Sequence, residues 1–244
     1  MTAIKTIDLT KRYKDVTAVD GINLEIEEGE LFSLLGVNGA GKTTTVKMLS
    51  TLTTPTEGDA EIYGHSILKD GDEIKKLIDI SMQETAVARK LTVEENVEFY
   101  ASLSGQSKEE IEETKKYVYK AFDLEKVAKK QASKLSGGWQ RKLSIALTLV
   151  TKPKILFLDE PTLGLDVIAR RELWKTIREL KSDMTVILTT HYMEEAEALS
   201  DRIGIMKDGK LLFVGTKEEL YARTGKNNVE DAFIETVTGG DSNA

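Results

Sequence analysis

Over residues 4–35 apolar and polar positions alternate, with turn signals at Lys14–Asp15 and Asp20–Gly21. A period of two marks strands with one buried face, so this stretch reads as a small antiparallel β-unit. Its last part, Ile22–Gly36 (INLEIEEGELFSLLG), leads into a core strand. The period then changes. Lys42–Leu52 (KTTTVKMLSTL) reads as a helix that must stop before Pro55, because a residue preceding proline is pushed out of the α region. From about Glu84 to Lys134 the chain is helix-rich and highly charged, with Ile111, Val118, Ala121 and Phe122 at helical spacing. This segment is expected to be a helical unit inserted into an α/β core, with the six lysines between Lys115 and Lys130 on a solvated face.

The core resumes as a helix over 139–150, the strand KILFLDE (Lys154–Glu160), the helix Ala169–Lys181, the strand MTVILTTH (Met184–His191) and the helix Met193–Ser200. Strands and helices alternating at this interval predict a parallel sheet of βαβ units. Ile203–Gly215 (IGIMKDGKLLFVG) has an Asp-Gly turn between two strand-like runs, a hairpin signal. Gly239–Ala244 reads as a frayed end, and no internal repeat is present.

Composition narrows the function classes. At 244 residues, 40% hydrophobic and 31% charged, the chain can bury a sizeable core and is far from the disordered class. A formal net charge of -7 gives no bulk attraction to nucleic acid, so no nucleic-acid partner is expected. The absence of cysteine excludes disulfides, thiolate metal sites and a cysteine nucleophile, and two histidines without a motif offer no zinc site. The N-terminus has no apolar signal-peptide core, and the longest apolar runs, such as Ile155–Leu158, are far below the roughly 20 residues that span a bilayer.

The chemistry is concentrated in two motifs. Gly36–Thr44 (GVNGAGKTT) satisfies G-x-x-x-x-G-K-[ST] between an apolar strand and a helix, the context that makes the pattern specific. Its glycines let successive N–H groups point at a phosphate chain, and the helix N-terminus adds a favourable dipole. Gly36, Asn38, Gly39, Ala40, Gly41 and Thr44 would form the cradle, Lys42 would reach the β and γ phosphates, and Thr43 would bind Mg²⁺. ILFLDE (Ile155–Glu160) supplies acids at the C-terminal end of a strand buried on both faces, where open α/β sheets bind ligands. Asp159 is placed to hold the Mg²⁺ hydration shell and Glu160 to polarise an attacking water. The fold class is therefore α/β, a RecA-like P-loop NTPase core with a mainly parallel sheet flanked by helices, an N-terminal antiparallel β-subdomain and an inserted α-helical subdomain.

A second anion-binding element needs explaining. In LSGGWQ (Leu135–Gln140), Ser136 is a competent helix N-cap, while Gly137 and Gly138 permit close backbone approach, so their N–H groups could bind an anion supplied in trans. The bland alternative is a simple cap, with Trp139, Leu143, Ala146, Leu147 and Val150 as the helix's apolar stripe.

The ordered set of Gly36–Thr44, Gln83, LSGGWQ, ILFLDE, LGLD (Leu163–Asp166) and His191 resembles the ATP-binding subunit of ABC transporters over nearly the whole chain. That resemblance implies a head-to-tail dimer in which Ser136, Gly137 and Gly138 of one copy cover the γ-phosphate held by the other. It implies that Tyr13 stacks on adenine, an aromatic platform that admits GTP as well. Gln83 would touch Mg²⁺ and the lytic water, His191 would contact the γ-phosphate, and Asp166 would communicate across the dimer. Trp139 departs from the family, which commonly has glutamine there, while His65 has no matching role and reads as a surface turn.

The whole chain is then one ATPase domain. Residues 1–30 with 58–68 would form the antiparallel β-subdomain, and 31–57, 69–83 and 139–215 the catalytic core. Residues 84–138 would be the helical subdomain, and 216–244 a C-terminal tail. LTVEENVEFYASLSG (Leu91–Gly105) and VEDAFIETVTGG (Val229–Gly240) look most like subunits of drug, lipid or antibiotic exporters. The implied function is ATP hydrolysis, with Mg²⁺, by a homodimer or a pair with a related subunit. Its partner would be a separate membrane permease holding the protein peripherally on the inner, cytoplasmic face of the cell membrane. A soluble ABC ATPase of cluster-assembly type and a nucleotide-binding switch that hardly hydrolyses stand as rivals.

Overall fold

The computed structural model describes residues 1–239. In chain order the elements are β1 (Thr2–Tyr13), β2 (Val16–Ile22), β3 (Glu25–Glu27), β4 (Leu31–Leu35), α1 (Lys42–Leu49), β5 (Glu57–Ile62), β6 (His65–Ser66), α2 (Gly71–Ile74) and β7 (Ile78–Ser81). There follow α3 (Val93–Leu103), α4 (Lys108–Phe122), α5 (Gly137–Thr148), β8 (Ile155–Asp159), α6 (Val167–Leu180), β9 (Thr185–Thr190) and α7 (Met193–Leu199). The chain closes with β10 (Arg202–Lys207), β11 (Lys210–Gly215), α8 (Lys217–Thr224) and α9 (Val229–Thr238). Among the described residues no helix is long and apolar enough to cross a membrane.

Two sheets organise the molecule. One is six-stranded in the order β11-β10-β4-β9-β8-β7, parallel except for the β10–β11 hairpin, which turns at Asp208–Gly209 with both residues at positive φ. The other pairs β2-β1-β5-β6 antiparallel, with β3 also on β1. In the middle of the parallel sheet, β4, β8 and β9 are buried at every position, which is why these segments read as continuous apolar runs.

Alternation along β8 then decides what each face holds. Leu156 and Leu158 join a core shared with α3, α4, α5 and α6, whereas Ile155 and Phe157 point to the core shared with α1 and the antiparallel sheet. The strand that ends in Asp159 is clamped between two cores, so its C-terminal end is fixed.

The structure departs from the expectations at several points. α1 stops at Leu49, three residues early, and Thr51 follows at φ +60°. Residues 216–239 are not a tail: α8 and α9 carry side-chain caps at Thr216 and Asn228, and Leu220, Val229, Ala232 and Phe233 form a third core with Leu35 and Ala196. The missed signal was the capping-box spacing of Thr216 and Glu219. Of the expected frayed end, all but Gly239 lies outside the described residues. Lys115 is not on a solvated face; it is 11% exposed and binds Glu94, Glu98 and Glu112, tying α4 to α3. His65 belongs to a two-residue strand rather than a turn. α5 has no narrow stripe, because every residue from Arg141 to Thr148 is buried.

Because Phe157 is fully buried at the centre of β8, Phe157→Ala is expected to lower the unfolding free energy by about 3–5 kcal/mol in a denaturant titration. A loss below about 1 kcal/mol would mean that the two cores do not depend on this strand.

Candidate functional site

The loop from Gly36 to Gly41 joins the end of β4 to α1. Gly41 is the N-cap residue at φ +106°, and a Cβ there would meet the Ala18 carbonyl at 2.4 Å, so only glycine fits. No side chain caps α1, which leaves its first-turn N–H groups directed at the adjoining cleft. That cleft, about 540 Å³, is lined by Tyr13, by Asn38 through Thr44, and by Gln83, Glu160 and His191. Tyr13 is 46% exposed, a ring available on the rim. Gln83 follows the end of β7 and is also exposed on the cleft.

The charged centre is buried. Lys42 donates to the carbonyls of Gly36 at 2.7 Å and Val37 at 3.2 Å, and its Nζ lies 3.4 Å from Glu160 Oε1. Burial pushes the Lys42 pKa down, while Glu160 and Asp159 oppose the shift. The other Glu160 oxygen accepts from His191 Nδ1 at 2.7 Å. Glu160 has φ +49°, a left-handed backbone uncommon for a bulky residue, and its N–H donates to the hydroxyl and carbonyl of Thr189 at 3.1 and 3.2 Å. This turn holds the carboxylate between a lysine and a histidine.

Asp159 accepts from Thr43 Oγ1 at 3.0 and 3.1 Å and from Thr189 Oγ1 at 2.5 Å. Thr189 therefore anchors both acids, a role the sequence reading missed; the only signal was a threonine opposite Asp159 in the strand register. A hydroxyl, a carboxylate and the nearby Gln83 amide make an oxygen-only donor set. It fits Mg²⁺, which binds through one or two protein oxygens and keeps water and phosphate as its other ligands.

Other predicted residues lie apart. Ser136 is the N-cap residue of α5 but its side chain makes no capping hydrogen bond, and Ser136 and Gly137 are exposed without lining the cleft. A Cβ on Gly137 would meet open space, whereas one on Gly138 would lie 3.1 Å from the Ala169 side chain, so Gly138 lets α5 approach α6. Trp139 turns inward against the large core, with the Lys142 ammonium 4.8 Å above its ring. Asp166 caps α6, accepting from the N–H groups of Ile168 and Ala169.

A second missed residue is Glu195 of α7, fully buried although it sits in a charged run that reads as surface. Its Oε1 accepts from Thr162 at 2.8 Å and Trp174 at 2.9 Å, joining α7 to the segment after Glu160 and to α6, while among the described residues Oε2 accepts no hydrogen bond of good geometry and the Thr190 hydroxyl lies nearby. Burial pushes its pKa up, against the hydrogen bonds it accepts.

Residues 19–163 match the protein family described as ABC transporter. The chain is 38% identical to the daunorubicin resistance ATP-binding protein DrrA3 of Streptomyces coeruleorubidus, over 94% of this chain and 73% of that protein. It is 43% identical to the human phospholipid-transporting ATPase ABCA3, over 87% of this chain but only 12% of that much longer protein. Among solved structures, an ATP-binding subunit of an ABC transporter superposes with a TM-score of 0.85 at 26% identity, covering 97% of this chain and all of the other. A dimeric ATP-binding cassette in a post-hydrolysis state with ADP and phosphate gives 0.77 at 30% identity, covering 87% and 98%.

The buried Glu195 yields a pH prediction. A carboxyl whose folded pKa is raised above the ordinary 4.5 contributes stability that is full below that value and lost as pH rises through the folded pKa. Glu195→Gln keeps an acceptor for Thr162 and Trp174 without the charge. It is expected to flatten the fall in stability as pH rises above the ordinary carboxylate range and to match or exceed the parent at the alkaline end. A variant less stable than the parent at that upper pH would show that the ionised form is needed.

Proposed function

Because this chain belongs to the ABC transporter family and is an ATPase of that type, we propose that two copies, or one copy and a related subunit, close around two ATP molecules and drive a separate membrane permease. The observation that carries this reading is the division of the site. One cleft gathers the phosphate loop, Glu160, Gln83 and His191, with Asp159 buried behind it on Thr43, while an uncapped helix N-terminus, with Ser136 and Gly137 exposed, takes no part in its lining. An unsatisfied helix N-terminus is suited to an anion, and the γ-phosphate on another chain's loop supplies one.

In this reading Lys42 neutralises the β and γ phosphates, and the N–H groups of the loop and of α1 cradle them. Tyr13 carries the base. Thr43, Asp159 and Gln83 would hold Mg²⁺, which when bound supplies charge neutralisation on the phosphates. Glu160 accepts a proton from the attacking water, and His191, hydrogen-bonded to it, keeps the carboxylate aimed while facing the γ-phosphate. Asp166 sits at the head of α6 beside the exposed Val167 and Ile168, where a second copy would meet it.

A groove of about 150 Å³ between β7 and α5 is lined by Ile80, Met82, Leu147 and Tyr100 of α3, the helix on which Phe99 and Leu103 are exposed. It suits an apolar segment of the permease, which would hold this chain at the cytoplasmic face of the membrane. The drug-resistance name of DrrA3 supports export over import, and the phospholipid-transporting name of ABCA3 supports a lipid-like compound as a second substrate class.

Mixing two inactive chains tests the shared site. Lys42→Ala is expected to weaken ATP binding by at least about tenfold, and Ser136→Arg to block the helix end. A mixture should regain ATPase activity, because a mixed dimer contains one site with an intact cradle and an intact helix end. No recovery in any ratio, with both chains folded, would contradict sharing. Glu160→Gln should lower kcat by about 10²–10⁴ while ATP affinity changes less than about threefold; an unchanged kcat would remove Glu160 from the chemistry.

A further inference from the structure

Arg141 lies on α5, one helical turn beyond Gly137, and is 4% exposed. A buried cation is normally satisfied by a carboxylate, but its four hydrogen bonds all end on main-chain carbonyls. Nη2 donates to Asp159 at 3.1 Å, Nε to Pro161 at 2.8 Å, and Nη1 to Met82 at 2.6 Å and Gln83 at 3.4 Å. Burial pushes its pKa down to about 10, opposed by the charges of Asp159 and Glu195, so it remains a cation at neutral pH.

The choice of carbonyls is informative. Asp159 and Pro161 flank Glu160, so one planar group grips the backbone on both sides of the left-handed residue. The third and fourth acceptors belong to the segment that presents Gln83. A guanidinium directs its donors in one rigid plane, and it cannot shift toward one segment without losing bonds to the other. α5 cannot slide at its first turns without carrying both along.

We propose that Arg141 is a positioning residue for hydrolysis: it fixes the peptides around Glu160 and Gln83 to the helix end bearing Ser136 and Gly137. An anion seated on that helix end then sets the catalytic groups of the same chain, so each nucleotide senses the other. The inference rests on the two-chain reading above. Packing alone would account for a buried aliphatic stem, but it does not require a charged fork whose acceptors surround the reacting groups. Lysine retains the charge as a single point and cannot span both segments in a plane.

The test compares Arg141→Lys and Arg141→Met with the parent in steady-state ATPase activity, ATP affinity and thermal unfolding. For Arg141→Lys, kcat is expected to fall at least about tenfold while KM and the ATP Kd stay within about threefold, with Arg141→Met lower still. Parental kcat in Arg141→Lys would overturn the proposal. So would a joint decline of kcat, ATP affinity and Tm that reverses on cooling, which is what a merely structural role produces. Should neither variant fold, hydrogen exchange on the parent decides: with a non-hydrolysable ATP analogue, protection around Glu160 and around Gln83 should rise together, and independent changes would overturn the coupling. A parent that binds ATP but never dimerises would instead remove the two-chain reading, a result separable from any effect of Arg141.

Discussion

Glu160 is held where a carboxylate is hardest to keep, buried at the end of a central strand, in a left-handed backbone, with Lys42 on one oxygen and His191 on the other. A buried charge of this kind costs several kcal/mol unless partners surround it. Each group follows a different strand end: Lys42 opens α1 beyond the loop after β4, Glu160 follows β8 and His191 follows β9. These strands are adjacent in the order β4-β9-β8, so parallel register brings the three groups to one edge of the sheet. Thr189 and Arg141 then fix the peptides on either side of Glu160.

What the chain cannot do follows from the same geometry. Its own N-cap serine and Gly137 do not line the cleft, and Gly138 packs against α6. In the two-chain reading, one copy carries two halves of different sites. Tertiary packing keeps those halves in fixed relation, since α5 is buried from Arg141 onward and shares a core with β8 through Leu143, Leu156 and Leu158.

Much of this was legible in advance because it rests on local rules. The buried runs of β4, β8 and β9, the hairpin at Asp208–Gly209 and the phosphate loop each carry their signal within a few residues. The illegible parts depend on contacts between distant segments. Lys115 reads as surface until α3 supplies Glu94 and Glu98. Glu195 sits in an acidic run and is buried only because Thr162 and Trp174 arrive from elsewhere. Arg141 resembles an ordinary polar position next to the glycines, and its four acceptors are carbonyls, which no residue type reveals. α8 and α9 were missed because the exposed charge of their first turns masked the caps and the short apolar faces behind them.

The central claim is that a triphosphate joins two chains and that its cleavage lets them part. Sedimentation velocity on Glu160→Gln tests it most directly, with ATP and Mg²⁺ in one cell and ADP and Mg²⁺ in another. The account predicts a dimer with ATP and a monomer with ADP. A monomer in both cells at every protein concentration, alongside full ATP turnover by the unsubstituted chain, would contradict it.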